Sequence, residues 1–198
     1  MAVADILLTP ATIWYAPVGE ALPDENTVDY GEDWGGNWES FGYTTTPLTM
    51  AVNRETYEVS VEQLTIPVKE MITSESLVFE STLAEFTSDN VLLAFGGTLT
   101  ETPAGAGQRQ MWEIEMGGET DLDLWAFGFE GLYKTDANEN FPVRIFLYKA
   151  NVVLNGQLQF SKSQEAGIPI QITAKPDDTK AAGKQLVKIQ KVIGTATT

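Results

Sequence analysis

The chain has 198 residues, 43% of them hydrophobic, so it is long enough to bury a core without disulfides or a structural metal. It contains no cysteine and no histidine, which excludes a disulfide framework, thiolate catalysis, histidine base catalysis and the usual zinc sites. The net charge of −16 repels a phosphate backbone and argues against tight binding of nucleic acid.

The charge is unevenly distributed along the chain. Residues 1–140 hold 25 acids and four cations, whereas residues 141–198 hold three acids and eight cations. An acidic body with a basic end can dock end to body between identical copies. We therefore predict self-assembly, with a main domain over residues 1–178 and a basic C-terminal segment over residues 179–198.

The N-terminus has no cationic segment followed by a long apolar run, and no apolar stretch approaches the roughly 20 residues that span a bilayer. We expect a protein that is made in the cytoplasm and does not enter a membrane.

Apolar and polar residues alternate with a period of two along most of the chain, which predicts β-strands. Glycine-containing turn pairs separate the strands, and Asn155-Gly156 gives the clearest hairpin signal. About nine strands of this kind predict a mainly β fold, an antiparallel sandwich or barrel. The predicted strands cover residues 11–15, 38–50, 54–62, 77–79, 112–116, 125–133, 143–147, 152–154, 158–160 and 168–172.

Two stretches lack this pattern and are predicted to be loops. Residues 16–37 are rich in glycine, proline and acids, which predicts a long exposed loop with few internal contacts. Residues 64–76 carry apolar side chains without a clean period. Such side chains are poorly placed in water, so we expect them to contact another subunit; the alternative is that they fold back onto the chain's own core. The candidate intersubunit residues are Ile66, Pro67, Val68, Met71 and Ile72.

One short helix is predicted between the strands. Thr87 or Ser88 is suited to cap its N-terminus, Asp89 places a carboxylate in its first turn, and Gly96-Gly97 ends it. We expect the helix to flank the sheets and cover the core at one end. Its predicted apolar face consists of Val91, Leu92 and Phe95.

Pairs of carboxylates stand two residues apart at several points. Glu113 and Glu115, for example, share one face of a predicted strand, as a glycosidase pair would. In so acidic a chain, a solvated strand face explains such pairs better. No calcium-loop or phosphate-loop motif is present, and we expect no enzymatic activity, cofactor or metal.

A series of aromatic residues allows a second class of function. Exposed aromatic side chains form the platforms of carbohydrate-binding modules, so a carbohydrate-binding or adhesive β-sandwich is the alternative to self-assembly. On alternating strands, however, aromatics usually fill the core, and we favour that interpretation. The series is Trp14, Tyr15, Trp34, Trp38, Phe41 and Tyr43.

Residues 83–97, which run from a strand through an acidic turn and a short helix to Gly-Gly, resemble the major tail tube protein of long-tailed (siphovirus-type) bacteriophages. Residues 146–150 and 167–177 are similar to that family's closing strands and terminal aspartate. Together with the order of loops and hairpin, the resemblance covers most of residues 10–178.

The resemblance implies a β-sandwich with a flanking helix that forms hexameric rings, stacked into a hollow tube through which DNA leaves the capsid. It also implies a tail-tip initiator and a tape-measure-type protein as partners, and a place in the virion tail after a soluble stage in the host cytoplasm. A lumen lined by carboxylates would let DNA slide without adhering. The lumen candidates are Glu58, Glu62, Glu113 and Glu115; an outer solvated surface is the alternative for them.

The basic C-terminal segment has two readings. Its lysines recur at about helical spacing, while Val187 and Ile189 alternate as in a strand. We expect it to dock on the acidic surface of a neighbouring subunit; the alternative is a partly ordered tail. The candidate contact residues are Lys180, Lys184, Lys188 and Lys191.

Overall fold

A computed structural model describes residues 9–118, 120–134, 139–160, 162 and 166–194. The described part is mainly β, with ten strands and a single helix. The strands are β1 (Thr12–Pro17), β2 (Glu39–Ser40), β3 (Thr49–Val59), β4 (Lys69–Leu83), β5 (Thr98–Thr102), β6 (Met111–Glu115), β7 (Trp125–Lys134), β8 (Asn140–Leu154), β9 (Ile168–Lys175) and β10 (Val187–Lys191). The helix, α1 (Ser88–Phe95), lies between β4 and β5.

Eight strands form one antiparallel sheet, and β5 and β6 form a second, two-stranded sheet. The order in the main sheet is β2-β1-β7-β8-β9-β4-β3, and β10 also pairs with β8. β9 pairs with β8 over residues 149–154, and β10 pairs with the same edge over residues 143–147. The two strands therefore follow one another along one edge of β8.

The main sheet curls until its distant strands face each other. β8 and β9 lie between β7 and β4, yet the rings of Phe129 and Phe79 stack with centroids 4.2 Å apart. The segment after β2 bridges the gap, since Phe41 N donates to Ile13 O of β1 (3.0 Å) and Thr45 N donates to Thr82 O of β4 (2.8 Å). The curled sheet encloses the main core, which confirms the predicted antiparallel β-sandwich.

Helix α1 covers one end of this core. The Thr87 hydroxyl accepts a hydrogen bond from Asn90 N (3.2 Å), and Gly96 ends the helix with a positive φ of 73°, as predicted. The predicted apolar face was partly wrong: Val91 is buried, but Leu93 and Ala94 are buried in place of Leu92 and Phe95, which are half-buried.

The predicted hairpin at Asn155-Gly156 is wrong. β8 runs unbroken to Leu154, and its partner there is β9, with Leu154 opposite Ile170. Residues 157–160 are not a strand, and Phe160 is 79% exposed. Likewise, of the predicted strand 38–50 only residues 39–40 and 49–50 are strand, because residues 41–45 cross from β1 to β4.

The predicted loop over residues 64–76 is wrong in its second half, because β4 begins at Lys69. β3 and β4 form a long hairpin, and residues 60–68 connect them. A β-bulge explains why no period was visible: Glu55 pairs with Ser74 and Thr56 with Ile72, so Thr73 is the extra residue. The bulge shifts the alternation of β4 by one position.

The loop between β1 and β2 is also unlike its prediction, because it makes a second core against the outer face of the sheet. Trp34 and Trp38 are each 5% exposed, and the rings of Trp34 and Trp14 stack at 5.1 Å. Small residues on β7, Ala126 and Gly128, leave room for these rings. The preferred assignment of the aromatic series to the core is thus confirmed, except for Tyr43, which is 81% exposed.

A buried ion pair anchors this loop to the sheet. Glu130 of β7 and Arg144 of β8 are directly paired, 0% and 1% exposed, with Arg144 Nε 2.9 Å from Glu130 Oε1. Glu130 also accepts hydrogen bonds from Gly31 N (3.1 Å) and Trp34 Nε1 (3.4 Å). Arg144 Nη2 donates to Val28 O at 2.7 Å. Glu130 and Arg144 therefore both attach the loop to the sheet.

We expect Gly128→Ala to destabilise the protein by about 2 kcal/mol, because over-packing a filled core costs ~1–3 kcal/mol. A Cβ at Gly128 would overlap ring atoms of Trp34. Gly131→Ala on the same strand is the matched control, since a Cβ there would lie 3.7 Å from Thr9 Oγ1 and 4.0 Å from Val143 O. Urea unfolding followed by tryptophan fluorescence measures both variants, and equal stability of the two would contradict this packing.

Candidate self-assembly surfaces

The outer part of the β3–β4 hairpin extends past β9 as an arm, defined here as residues 53–76. β9 supports β4 only over residues 78–83, so the earlier residues of β4 pair with β3 alone. Every residue from Thr49 to Glu58 and from Ser60 to Glu75 is exposed. The alternative that residues 64–76 fold back onto the chain's own core is therefore wrong.

The arm carries apolar side chains on both faces and at its tip. The bulge at Thr73 places Met71 beside Tyr57 on one face and Ile72 on the other. At the tip, Ile66 is 69% exposed and Val68 is 49% exposed. All five intersubunit candidates of the arm, Ile66, Pro67, Val68, Met71 and Ile72, are thus in water in the single chain.

The lumen candidates are exposed, but the structure does not place them together. Glu58 lies on β3 directly opposite Glu70, whereas Glu62 lies in the connection after Val59. The predicted strand over residues 54–62 therefore extends too far, because β3 ends at Val59 and Glu62 is not on the same strand as Glu58. Glu113 and Glu115 lie on β6 of the second sheet, opposite Thr100 and Thr98.

A second exposed apolar surface surrounds α1 and was missed by the sequence analysis. The Phe86 ring lies 6.0 Å from the Trp112 ring and 6.5 Å from the Phe160 ring. Their exposures are 45%, 38% and 79%. Met116 and Leu122, each 60% exposed, border a groove of about 340 Å³ beside α1. We call Phe86, Trp112, Met116, Leu122 and Phe160 the helix-side patch.

The C-terminal segment returns to the sheet as β10, so the strand reading applies and the helical reading does not. Lys188 Nζ lies 5.9 Å from the ring centroid of Phe146, and Lys191 Nζ lies 3.7 Å from that of Tyr133. Lys180 Nζ lies 4.7 Å from the Tyr148 ring, and Lys184 is exposed. Three of these four lysines thus contact aromatic rings of their own subunit.

The same segment also lies against the acidic loop of its own chain. The pKa of Glu25 is lowered, first by a hydrogen bond from its own backbone N–H, then by one from Gln190 and by the charge of Lys188. Gln190 and Lys188 of this segment therefore act on an acid of their own subunit, Glu25.

Asp177 stabilises the connection between β9 and β10. Its backbone N–H donates to Gln185 O (3.0 Å), and its carboxylate accepts from Thr179 N (3.1 Å) and Thr179 Oγ1 (2.9 Å). Lys149 Nζ lies 3.3 Å from the same oxygen. Burial acts to raise the pKa of Asp177, but the hydrogen bonds from Thr179 and Lys149 outweigh it, and the pKa is lowered.

Across the described ranges, no cluster of three or more acidic residues is placed to hold a metal ion. The helix that they contain is too short to span a bilayer. The exposed apolar surfaces of the arm and of the helix-side patch are of the kind that marks interaction sites.

Comparison with family models decides between the two functional classes. The model described as phage tail tube protein matches residues 4–189. The chain belongs to the phage tail tube protein family. A comparison with curated proteins gives no significant match.

As a tail tube protein, the chain is a structural component of the virion tail and builds a tube from copies of itself. The match ends inside β10, so it includes most of this strand as well as the sandwich. For a protein of this kind, exposed apolar surfaces on the isolated subunit are expected to become contacts in the assembly.

Proposed function

We propose that this tail tube protein forms hexameric rings that stack into a hollow conduit for DNA ejection. The exposed arm carries the proposal. Its apolar side chains find no cover within the described part of the subunit, and a neighbouring copy would remove them from water. The number of six subunits rests on the resemblance to the long-tailed phage family.

The charge of the subunit suits a conduit that DNA does not adhere to. Six copies would carry a formal charge of about −96, six times −16. At physiological salt, this field is screened over about 8 Å, which still covers the layer next to a lumen wall. Glu58, Glu62, Glu113 and Glu115 are the proposed lumen carboxylates, and their exposure supports this role.

Assembly would be controlled by partners. A tail-tip initiator would start the tube and a tape-measure-type protein would set its length. Before assembly, the subunit would be soluble in the host cytoplasm. Lys180, Lys184, Lys188 and Lys191 remain proposed contacts to a neighbour; Lys184, in an exposed turn, is the best placed of them.

Negative-stain electron microscopy of the purified protein over a series of salt and protein concentrations tests the proposal. We expect rings or tubes of uniform diameter, and more of them as the salt concentration rises. Added salt screens the repulsion between the acidic subunits, because it shortens the Debye length from about 8 Å at 0.15 M to about 3 Å at 1 M. Particles that stay monomeric at every salt and protein concentration would contradict it.

A further inference from the structure

The helix-side patch is a continuous apolar surface. Trp112, Ile114 and Met116 alternate along β6 and the residue after it, so their side chains share one face. Ile114 is half-buried and packs against the main core, whereas Trp112 and Met116 reach the surface. At about 3.3 Å per residue, these two positions lie roughly 13 Å apart. The aromatic cluster around Trp112 is therefore continuous, along this face, with the groove that Met116 borders beside α1.

The patch is large for an isolated subunit. Its residues are 38–79% exposed, which leaves about 500 Å² of apolar surface in water at roughly 150–230 Å² for each residue. Single exposed apolar residues need no partner, but contiguous patches of about 300–600 Å² are often functional. The patch also supplies phenylalanine, tryptophan and methionine, which are enriched at the centres of protein interfaces. Its size and composition thus indicate a binding surface for another polypeptide.

Carboxylates surround the patch. Residues 84–124, which include every member of the patch except Phe160, hold eight acids and a single cation, Arg109. Asp121 and Asp123 line the groove, and Asp89 is exposed in the first turn of α1. A second copy of this acidic chain would bring more carboxylates to the rim, whereas a basic partner would neutralise those already there. The charge of the rim therefore favours a basic partner.

The spacing of the rings favours a helix as the occupant. The ring centroid of Phe86 lies 6.0 Å from that of Trp112 and 6.5 Å from that of Phe160. Side chains at positions i and i+4 of an α-helix are separated by about 6 Å along its axis, because each residue rises about 1.5 Å. A helix can thus place successive apolar side chains against neighbouring rings, and about three turns also reach the groove beside α1.

We propose that the helix-side patch binds a basic amphipathic helix of another protein. The apolar face of that helix covers the three aromatic rings and enters the groove, and its lysines or arginines pair with Asp121 and Asp123. The described residues of this chain offer no such helix. Their single helix, α1, contains no basic residue and buries Val91, Leu93 and Ala94 in its own core. The binding depends neither on the number of subunits in the tube nor on how its rings stack.

Fluorescence anisotropy with a labelled model peptide tests this binding. The probe is a peptide of leucine and lysine, about 18 residues long, with leucine at positions i, i+3, i+4 and i+7. We expect it to bind the wild type, and its affinity should fall about tenfold or more in Phe86→Ser/Trp112→Ser. A peptide with glutamate in place of every lysine should bind the wild type about tenfold more weakly or less well still. Equal affinity for the two peptides would overturn the inference.

Tyr57→Ser is the matched control. Tyr57 is an aromatic residue of the arm, 62% exposed and followed by Glu58, so it also combines an exposed ring with an acid. This variant should bind the lysine peptide as the wild type does. An equal loss of binding in both variants, or no loss in either, would show that the peptide binds the acidic surface in general and would overturn the inference.

Tube formation distinguishes a second copy of the chain as the occupant. Phe86→Ser/Trp112→Ser should form the same tubes as the wild type, because the proposed partner is a different protein. A folded variant that binds the peptide normally but forms no tubes would assign the patch to a second copy. That result would overturn the inference while leaving the proposed function standing.

Carbodiimide cross-linking locates the peptide on the unmodified protein, so it does not depend on the folding of a variant. The carbodiimide activates a carboxylate, and the amine of a peptide lysine then forms an amide bond as the urea leaves. We expect mass spectrometry to find the cross-links at Asp121 and Asp123, which line the groove. Cross-links in equal yield at Glu58 and Glu70 of the arm would overturn the inference.

Discussion

Replacing Glu130 by alanine is expected to destabilise the protein by about 3–5 kcal/mol, the usual cost of leaving a buried charge without its partner. Arg144 is 1% exposed, and without Glu130 its Nε loses a partner at 2.9 Å. Gly31 N and Trp34 Nε1 lose their acceptor as well. The loop between β1 and β2 should then detach, and its tryptophans should become accessible to quenchers.

The double variant Glu130→Leu/Arg144→Leu separates the charge from the packing. It removes both charges, so it should recover much of the stability lost by Glu130→Ala. If the two substitutions acted independently, the double variant would instead be less stable than Glu130→Ala. Urea unfolding measures all three proteins. A Glu130→Ala protein within 1 kcal/mol of the wild type would contradict the account of this loop as an anchored layer.

The second large effect concerns assembly instead of folding. Ile66→Asp/Ile72→Asp should leave the subunit folded, because both side chains are exposed at 69% and 58%. Burying an isoleucine contributes about 25 cal/mol per Å² of surface removed from water, and a buried unpaired carboxylate adds a further cost. The pair should therefore weaken each contact by about 4 kcal/mol, or roughly 1,000-fold.

Sedimentation and negative-stain microscopy measure this loss of assembly. The variant should unfold at the same temperature as the wild type, so that the loss cannot be attributed to unfolding. Ile66→Leu/Ile72→Leu keeps the apolar surface at the same positions and should assemble normally. If the aspartate variant forms tubes at the same protein concentration as the wild type, the arm is not an assembly element.

Some of the fold could be predicted because local chemistry decides it. The cap at Thr87 and the end of α1 at Gly96 depend on residues within one turn, and both are where the sequence indicated. The alternation in β9, from Ile168 through Ile170 to Ile172, likewise reflects a strand with one buried face. These elements need no knowledge of distant contacts.

Other parts could not be predicted because they depend on distant partners. The loop between β1 and β2 looked exposed by composition, and only Trp34 and Trp38, packed on the small residues of β7, reveal it as a layer. One available signal was the sequence of β7, in which residues 126–129 contain no polar side chain, as in strands covered on both faces. Glu130 directly follows this run, and an acid in a strand that is buried on both faces needs a partner.

Of the two exposed apolar surfaces, one could be recognised from the sequence and the other could not. Residues 66–72 were recognised because apolar side chains without a period fit poorly in water, although the bulge at Thr73 concealed their strand. The helix-side patch was missed because Phe86, Trp112 and Phe160 come from three separate segments that meet only after folding. The register that brings such segments together cannot be derived from the separate segments.

In the proposed assembly, the arm is buried between subunits of a tube. A helical reconstruction of the assembled protein by cryo-electron microscopy would show the surroundings of each arm. We predict that Ile66, Val68 and Ile72 are covered by a neighbouring subunit. A tube in which these three side chains face solvent, with the subunits held together elsewhere, would contradict this proposal.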